Sequence, residues 1–486
     1  MNQLLILAIA SAMMPQDSAL WRLSEPAYEN SAIKQWMYGA GHSDIGIGYR
    51  CDKANRPVDP QLGTGERSWN IGAETYLKYK TSTLWGDASY TNGTQLDRNW
   101  NETSDLAVIY PYVTADSIGG DMKMEHYRFA GGYADHTADW AWGVSLSYDA
   151  GLYYRNVDPR PRNVTGLLDV SAGGARRVTG DYFAGVALGY RKYKQACDIE
   201  FKNEMGVEKI YHLTGLGTQY QRFAGTGNAY YYDGNRLGVS VNLYPSSGRG
   251  LMLTANLSRF TFDKVLKDLN KLPLNHAWHN AIALNAAYVA QSWGIAVDFT
   301  AYRRHGYENI FGDAASGIYP QIAELDTYAD NARQWSLSGV WQRGFGESLL
   351  WVKPAVGYSH RSEVYISPRR HILINKVVPS LEAMYSFPFA ASWRMSVKAG
   401  ADYSRPVGSK IRLDDAATQE PQGLIALVRY RYAYESRDNL TFRGHLSLQR
   451  SINSRFGIAL SVDYARTNYG LSTHRNVITS SLSLIF

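Results

Sequence analysis

Residues 140–152 read Trp140-Ala-Trp-Gly-Val-Ser-Leu-Ser-Tyr-Asp-Ala-Gly-Leu152. Trp140, Trp142, Val144, Leu146, Tyr148, Ala150 and Leu152 share one parity, whereas Ala141, Gly143, Ser145, Ser147, Asp149 and Gly151 share the other. Successive side chains of a strand point to opposite faces, so this is a ribbon with one apolar face and one small or polar face. The same alternation returns at 251–257, 295–301, 395–403, 440–448 and 458–464. Soluble sandwich strands usually run about 5–6 residues, whereas these run to about 10 or more and close on Tyr or Trp near their ends. Length, alternation and aromatic ends together predict an all-β transmembrane antiparallel barrel, because a sheet can cross lipid only if it closes and leaves no edge.

Composition agrees. The chain has 486 residues, 45% hydrophobic and 13% aromatic, with 36 Tyr, 13 Trp and 44 Gly. Its longest strongly apolar run, Leu4–Ala10, is far short of the roughly 18–20 residues a membrane helix needs, and so much apolar material excludes disorder. Fifty Lys+Arg against 44 Asp+Glu give a net charge of +6 without a polybasic block, so no nucleic-acid partner is expected.

The apolar core Leu4–Ala10 and the small residues after it predict a signal peptide over 1–19, followed by a periplasmic lead-in over 20–34 and the barrel over 35–486. Candidate spans begin near 35, 68, 82, 120, 137, 164, 180, 230, 248, 278, 291, 329, 347, 375, 391, 424, 438, 454 and 473. A bacterial barrel with both ends in the periplasm takes an even number, so one of these is surplus and the expectation is 18 strands, with 16–20 allowed. Short turns should alternate with long extracellular loops at 51–67, 93–119, 195–229, 263–277, 305–328 and 360–374, with a brief helix within 262–271. Cys51 and Cys197 suit either one disulfide or two separate buried thiols.

The chain stops at Phe486, with Leu484, Leu482 and Ile478 on its parity. A terminal aromatic ending an alternating strand resembles the assembly signal of bacterial outer-membrane barrels, which implies the barrel-assembly machinery as a partner and the outer membrane as the location. The segments Tyr154–Pro161 and Gly189–Gln195 and the Tyr/Gly texture resemble an uncharacterised family of Bacteroidota outer-membrane barrels. That resemblance implies no activity and no catalytic residue. Outer-membrane lipids and lipopolysaccharide are the expected surroundings.

The inward parity sets the functional expectation. Asp44, Glu74, Asp87, Asp149 and Asp298 lean one wall acidic, and Arg394, Lys398, Arg429, Arg431 and Arg443 lean another basic. Such walls either polarise a water-filled passage, as in porins, or brace the barrel as ion pairs. The expected function is passive passage of small polar solutes. Its alternative is a non-catalytic barrel subunit that binds or assists a larger outer-membrane uptake or secretion complex. Catalysis finds little purchase: His42, His126 and His445 fall on the lumen parity, whereas a phospholipase acting on lipid needs its histidine outside. His212, His276, His279, His305, His360 and His371 fall in expected loops, and His276-x-x-His279 lacks further ligands, so no metal and no cofactor are expected. A TonB-dependent receptor is not expected either, since such proteins carry 22 strands and a plug domain before the barrel.

Overall fold

The computed structural model describes residues 19–203, 209–225, 229–413, 423–453, 456–470 and 472–486. Eighteen strands form one closed antiparallel sheet: β1 (His42–Ala54), β2 (Gly65–Lys78), β3 (Ser82–Arg98), β4 (Gly120–His136), β5 (Trp140–Tyr154), β6 (Arg160–Thr179), β7 (Tyr182–Glu200), β8 (Ala229–Pro245), β9 (Gly250–Leu266), β10 (Leu272–Val289), β11 (Trp293–Phe311), β12 (Gln321–Phe345), β13 (Ser348–Tyr365), β14 (Arg370–Ala390), β15 (Trp393–Leu413), β16 (Asn439–Ser451), β17 (Gly457–Asn468) and β18 (His474–Ile485). Each pairs with its neighbour in the chain, and β1 pairs with β18 to close the ring. Phe486 completes the seam by exchanging backbone hydrogen bonds with Ser43. Strands of 12 to 25 residues exceed the 9–11 or so that cross a bilayer, and the longer ones form hairpins that continue past the apolar belt.

The alternating side chains sort by face as the sequence predicts. Trp140, Trp142, Val144, Leu146 and Tyr148 are exposed on the outer surface, as are Ile45, Ile47, Leu251, Leu253, Ile295, Val297, Leu460, Leu482 and Leu484. In a soluble protein this belt would be a large exposed apolar surface; against lipid it is the stable arrangement. No described helix is long and apolar enough to cross a membrane.

Three expectations are corrected, and one open alternative, the state of the cysteines, is decided. The surplus candidate was the one near 424: Leu424–Glu435 is an α-helix in the loop between β15 and β16, and the other candidates each correspond to one observed strand. No helix forms within 262–271, because Phe262–Leu266 continue β9 in pairing with β10. The expected loops are shorter than read, since β9–β14 extend well into them. Cys51 and Cys197 are both free. They lie on β1 and β7, six strand spacings of about 4.8 Å apart along the wall, far beyond disulfide reach.

Residues 1–18, most of the expected signal peptide, lie outside the described residues. The stretch expected as a periplasmic lead-in is folded inside the barrel at the end bearing the short turns, with a 3₁₀ segment at Trp21–Glu29 and a second at Lys34–Trp36.

Candidate functional site

The chain fills its lumen from both ends. At the turn end, the segment 19–37 lies across the interior. Leu20, Leu23, Ala27, Tyr28, Ala32 and Ile33 are buried in one cluster with Tyr244, Met252, Ala287, Val340, Trp351 and Met384 of the wall. Farther along, the Tyr76 hydroxyl donates to the carbonyls of Lys34 and Gln35, and Lys34 lies over the Trp85 ring.

The small inward residues of β5–β7 form the groove that receives this segment. Ser31 Oγ is 3.0 Å from both Ser145 and Ser171, and Asn30 donates to Asn242 across 3.1 Å. A Cβ on Gly173 would fall 2.0 Å from Asn30 Oδ1, and one on Gly143 would fall 2.5 Å from the Ser31 carbonyl. Glycine is needed there because the segment 19–37 of the same chain occupies the space of a side chain.

At the loop end, three loops fold inward. Thr114–Ala115, Tyr211–Gly215 and Thr218–Gln219 form a small three-stranded sheet inside the mouth. Ile109, Tyr112, Ile210, Tyr220 and Phe223 pack with Tyr193, Tyr230, Phe260 and Phe262 of the wall. Leu424 and Leu427 of the loop helix join Trp100, Leu106 and Leu213, while Val428 packs with Tyr328, Tyr365 and Ile372. On the opposite side of the mouth, Tyr430 donates to the Pro57 carbonyl and the Tyr434 hydroxyl meets Thr473 at 2.9 Å.

Buried charges fasten this stopper. Arg155 reaches Glu102 at 2.8 Å and Asp116 at 2.7 Å. On the other side, Arg431 of the loop helix meets Glu363 of β13 at 3.0 Å, and Arg361 lies 3.4 Å from Glu363 and 3.0 Å from Asp330. Tyr110 and Tyr328 both donate to Glu363. Nearby in the first inward loop, burial pushes the Asp105 carboxyl up to about 6, although a Tyr193 hydrogen bond at 3.0 Å opposes the shift.

Between the two stoppers, members of the expected acidic and basic walls pair with local counter-charges rather than with one another. Arg128 joins Asp87 at 2.9 Å and Asp149 at 3.0 Å, Lys398 meets Glu382 at 3.0 Å, and Arg443 meets Asp402. Arg394 sits near the turns and donates to the Glu347 carbonyl. Asp298 accepts from Asn285 and Ser336. Asp44 and Glu74 face each other in register, with Asp87 next in the row. Arg429 and Arg431 do not belong to a strand wall at all: both are on the loop helix. The partners Glu382, Asp330, Arg361 and Glu363 were not singled out in sequence, because alternation assigns a face but not which strand neighbours meet. The side chains of Arg443 and Asp463 remain 51% exposed, so water reaches the β16–β17 side of the interior.

The histidines are dispersed. His276 and His279, three residues apart on β10, project from opposite faces, His276 to Asp263 and His279 toward Arg304. His305, His360 and His371 are in strands rather than loops, and His212 is in the small inner sheet. Among the described residues no group of three or more His, Cys, Asp or Glu is placed to hold a metal.

The model of a family described as "Family of unknown function (DUF6850)" matches residues 31–486. No curated protein matches the sequence. Among solved structures, a ferric enterobactin receptor mutant from Pseudomonas aeruginosa is 8% identical, with 92% of this chain and 80% of that chain covered and a TM-score of 0.42. The ferric preacinetobactin receptor from Acinetobacter baumannii gives 8%, 92%, 80% and 0.41 for the same measures. A bacterial polysaccharide outer membrane secretin gives 10%, 92%, 98% and 0.36.

Proposed function

We propose that this chain, which belongs to the DUF6850 family of unknown function, is a non-catalytic outer-membrane barrel that presents a fixed surface to a larger uptake or secretion complex. One observation carries the reading: each mouth is occupied by a packed segment with its own buried apolar contacts, the segment 19–37 at one end and the inward loops at the other. An open porin needs a continuous water path, and these segments lie across it. The apolar belt supports the outer membrane as the location, with the turn end toward the periplasm.

A gated passage for small polar solutes is the second reading. It is favoured by the half-exposed Arg443 and Asp463 side chains beside β16 and β17. Planar-bilayer recording separates the two. The intact purified barrel should show no steady conductance, and removing residues 19–37 alone should leave it closed, because the inward loops still fill the other mouth. Steady conductance by the intact chain would overturn the binding-subunit reading in favour of the channel.

A further inference from the structure

The outer surface carries a cationic patch where the apolar belt gives way to the loop end. Register places Arg259 of β9 opposite Asn280 of β10, Asn280 opposite Arg303 of β11, and Arg303 opposite Asn331 of β12. Two residues along β12, Arg333 is opposite His360 of β13. Arg259, Arg303 and Arg333 are all exposed. Strands are about 4.8 Å apart, so the three guanidinium stems fall within roughly 15 Å of one another along the wall.

Like charges this close repel unless an anion lies among them. Among the described residues, none of the three arginines is in an ion pair. Arg259 lies over the Trp278 ring at 5.6 Å, and Arg303 donates to His305 Nε2. On the same face Asp263 is engaged by His276 and Asp326 by His305, while Asp330 turns into the lumen toward Arg361. Immediately toward the belt, Phe299 and Trp335 pack with ring centroids 4.2 Å apart and their planes tilted by 38°, and present an apolar shelf. Guanidinium groups above an aromatic shelf match a phosphate attached to acyl chains, since both halves of such a molecule find partners at the right depth.

We propose that Arg259, Arg303 and Arg333 form a binding site for the phosphorylated headgroup of a lipid in the surrounding leaflet, with its acyl chains against Phe299 and Trp335. The site rests on the outer-membrane location but not on whether the lumen conducts.

The test uses the full chain purified in detergent and native mass spectrometry with bisphosphorylated lipid A as the probe. The intact protein should bind it, and the triple variant Arg259→Gln/Arg303→Gln/Arg333→Gln should bind roughly a hundredfold more weakly. Dephosphorylated lipid A should bind the intact protein as weakly as lipid A binds the variant, and inorganic phosphate should not compete. Heat-modifiable migration checks that the variant is folded, and Arg343→Gln/Arg450→Gln at the turn end should leave binding unchanged. Equal lipid A binding by the folded triple variant overturns the site. Competition by inorganic phosphate overturns the lipid as its occupant, and tighter retention of an acidic protein than of lipid A does the same. Failure of the chain to fractionate with the outer membrane is a separate outcome, which removes the location itself.

Discussion

At Glu363 a single buried carboxylate receives Arg431 from the loop helix, Arg361 from its own strand and the hydroxyls of Tyr110 and Tyr328. A buried charge stripped of one partner is costly, whereas a surface pair is worth little. Arg431→Ala should therefore loosen the loop helix by roughly 3 kcal/mol, read as faster amide exchange over 424–435 with barrel strands unaffected. Unchanged exchange there would mean that apolar packing through Leu424, Leu427 and Val428 holds the helix alone. Asp105 gives a pH-dependent counterpart. Its folded value of about 6 lies above the ordinary 3.8, so its contribution is fully present below about pH 4 and is lost as pH rises through 6. Exchange at Leu106–Ile109, corrected for intrinsic rate, should speed up between pH 5 and 7.5, and Asp105→Asn should abolish that change. A persistent pH effect in the variant would assign it to another group.

The elements show where one-dimensional reading works and where it is ambiguous. Strand alternation was legible because lipid demands an apolar outer face at every second position, over lengths that few other structures require. Residues 424–435 defeat it because they carry two periods at once. Arg429, Tyr430, Arg431 and Tyr432 alternate like a strand, yet the buried set Leu424, Leu427, Val428, Arg431 and Tyr434 has helical spacing. The groove for segment 19–37 is visible in sequence only as small residues on β5–β7, which by themselves say nothing of what fills them. Gly173→Val tests that groove. Its side chain would collide with Asn30, so the segment should be displaced and become susceptible to protease, while the barrel keeps its heat-modifiable migration. Loss of the barrel itself would show instead that the collision is relieved by the strand.

For the whole molecule, closure at the β1–β18 seam makes every strand depend on the last one, and Phe486 bonds to Ser43 at that seam. Replacing Phe486 with Asp should slow insertion and expose the chain to degradation without altering export, as pulse-chase fractionation would reveal; unchanged assembly kinetics would remove the role assigned to that residue. By itself the sequence determined the barrel class, the outward face and, once the loop helix is discounted, the number of strands. Each of these follows from local alternation imposed by a uniform solvent, so nearby residues suffice to read it. Only the tertiary structure decided that the lumen is filled and how its charges pair. Ser31 meets Ser145 and Ser171, and Tyr28 meets Tyr244, through contacts between positions far apart in the chain. Lys398 finds Glu382 because register sets β14 beside β15. Parity fixes which way a side chain points, but its partner is set by ring closure and register, which no single segment contains.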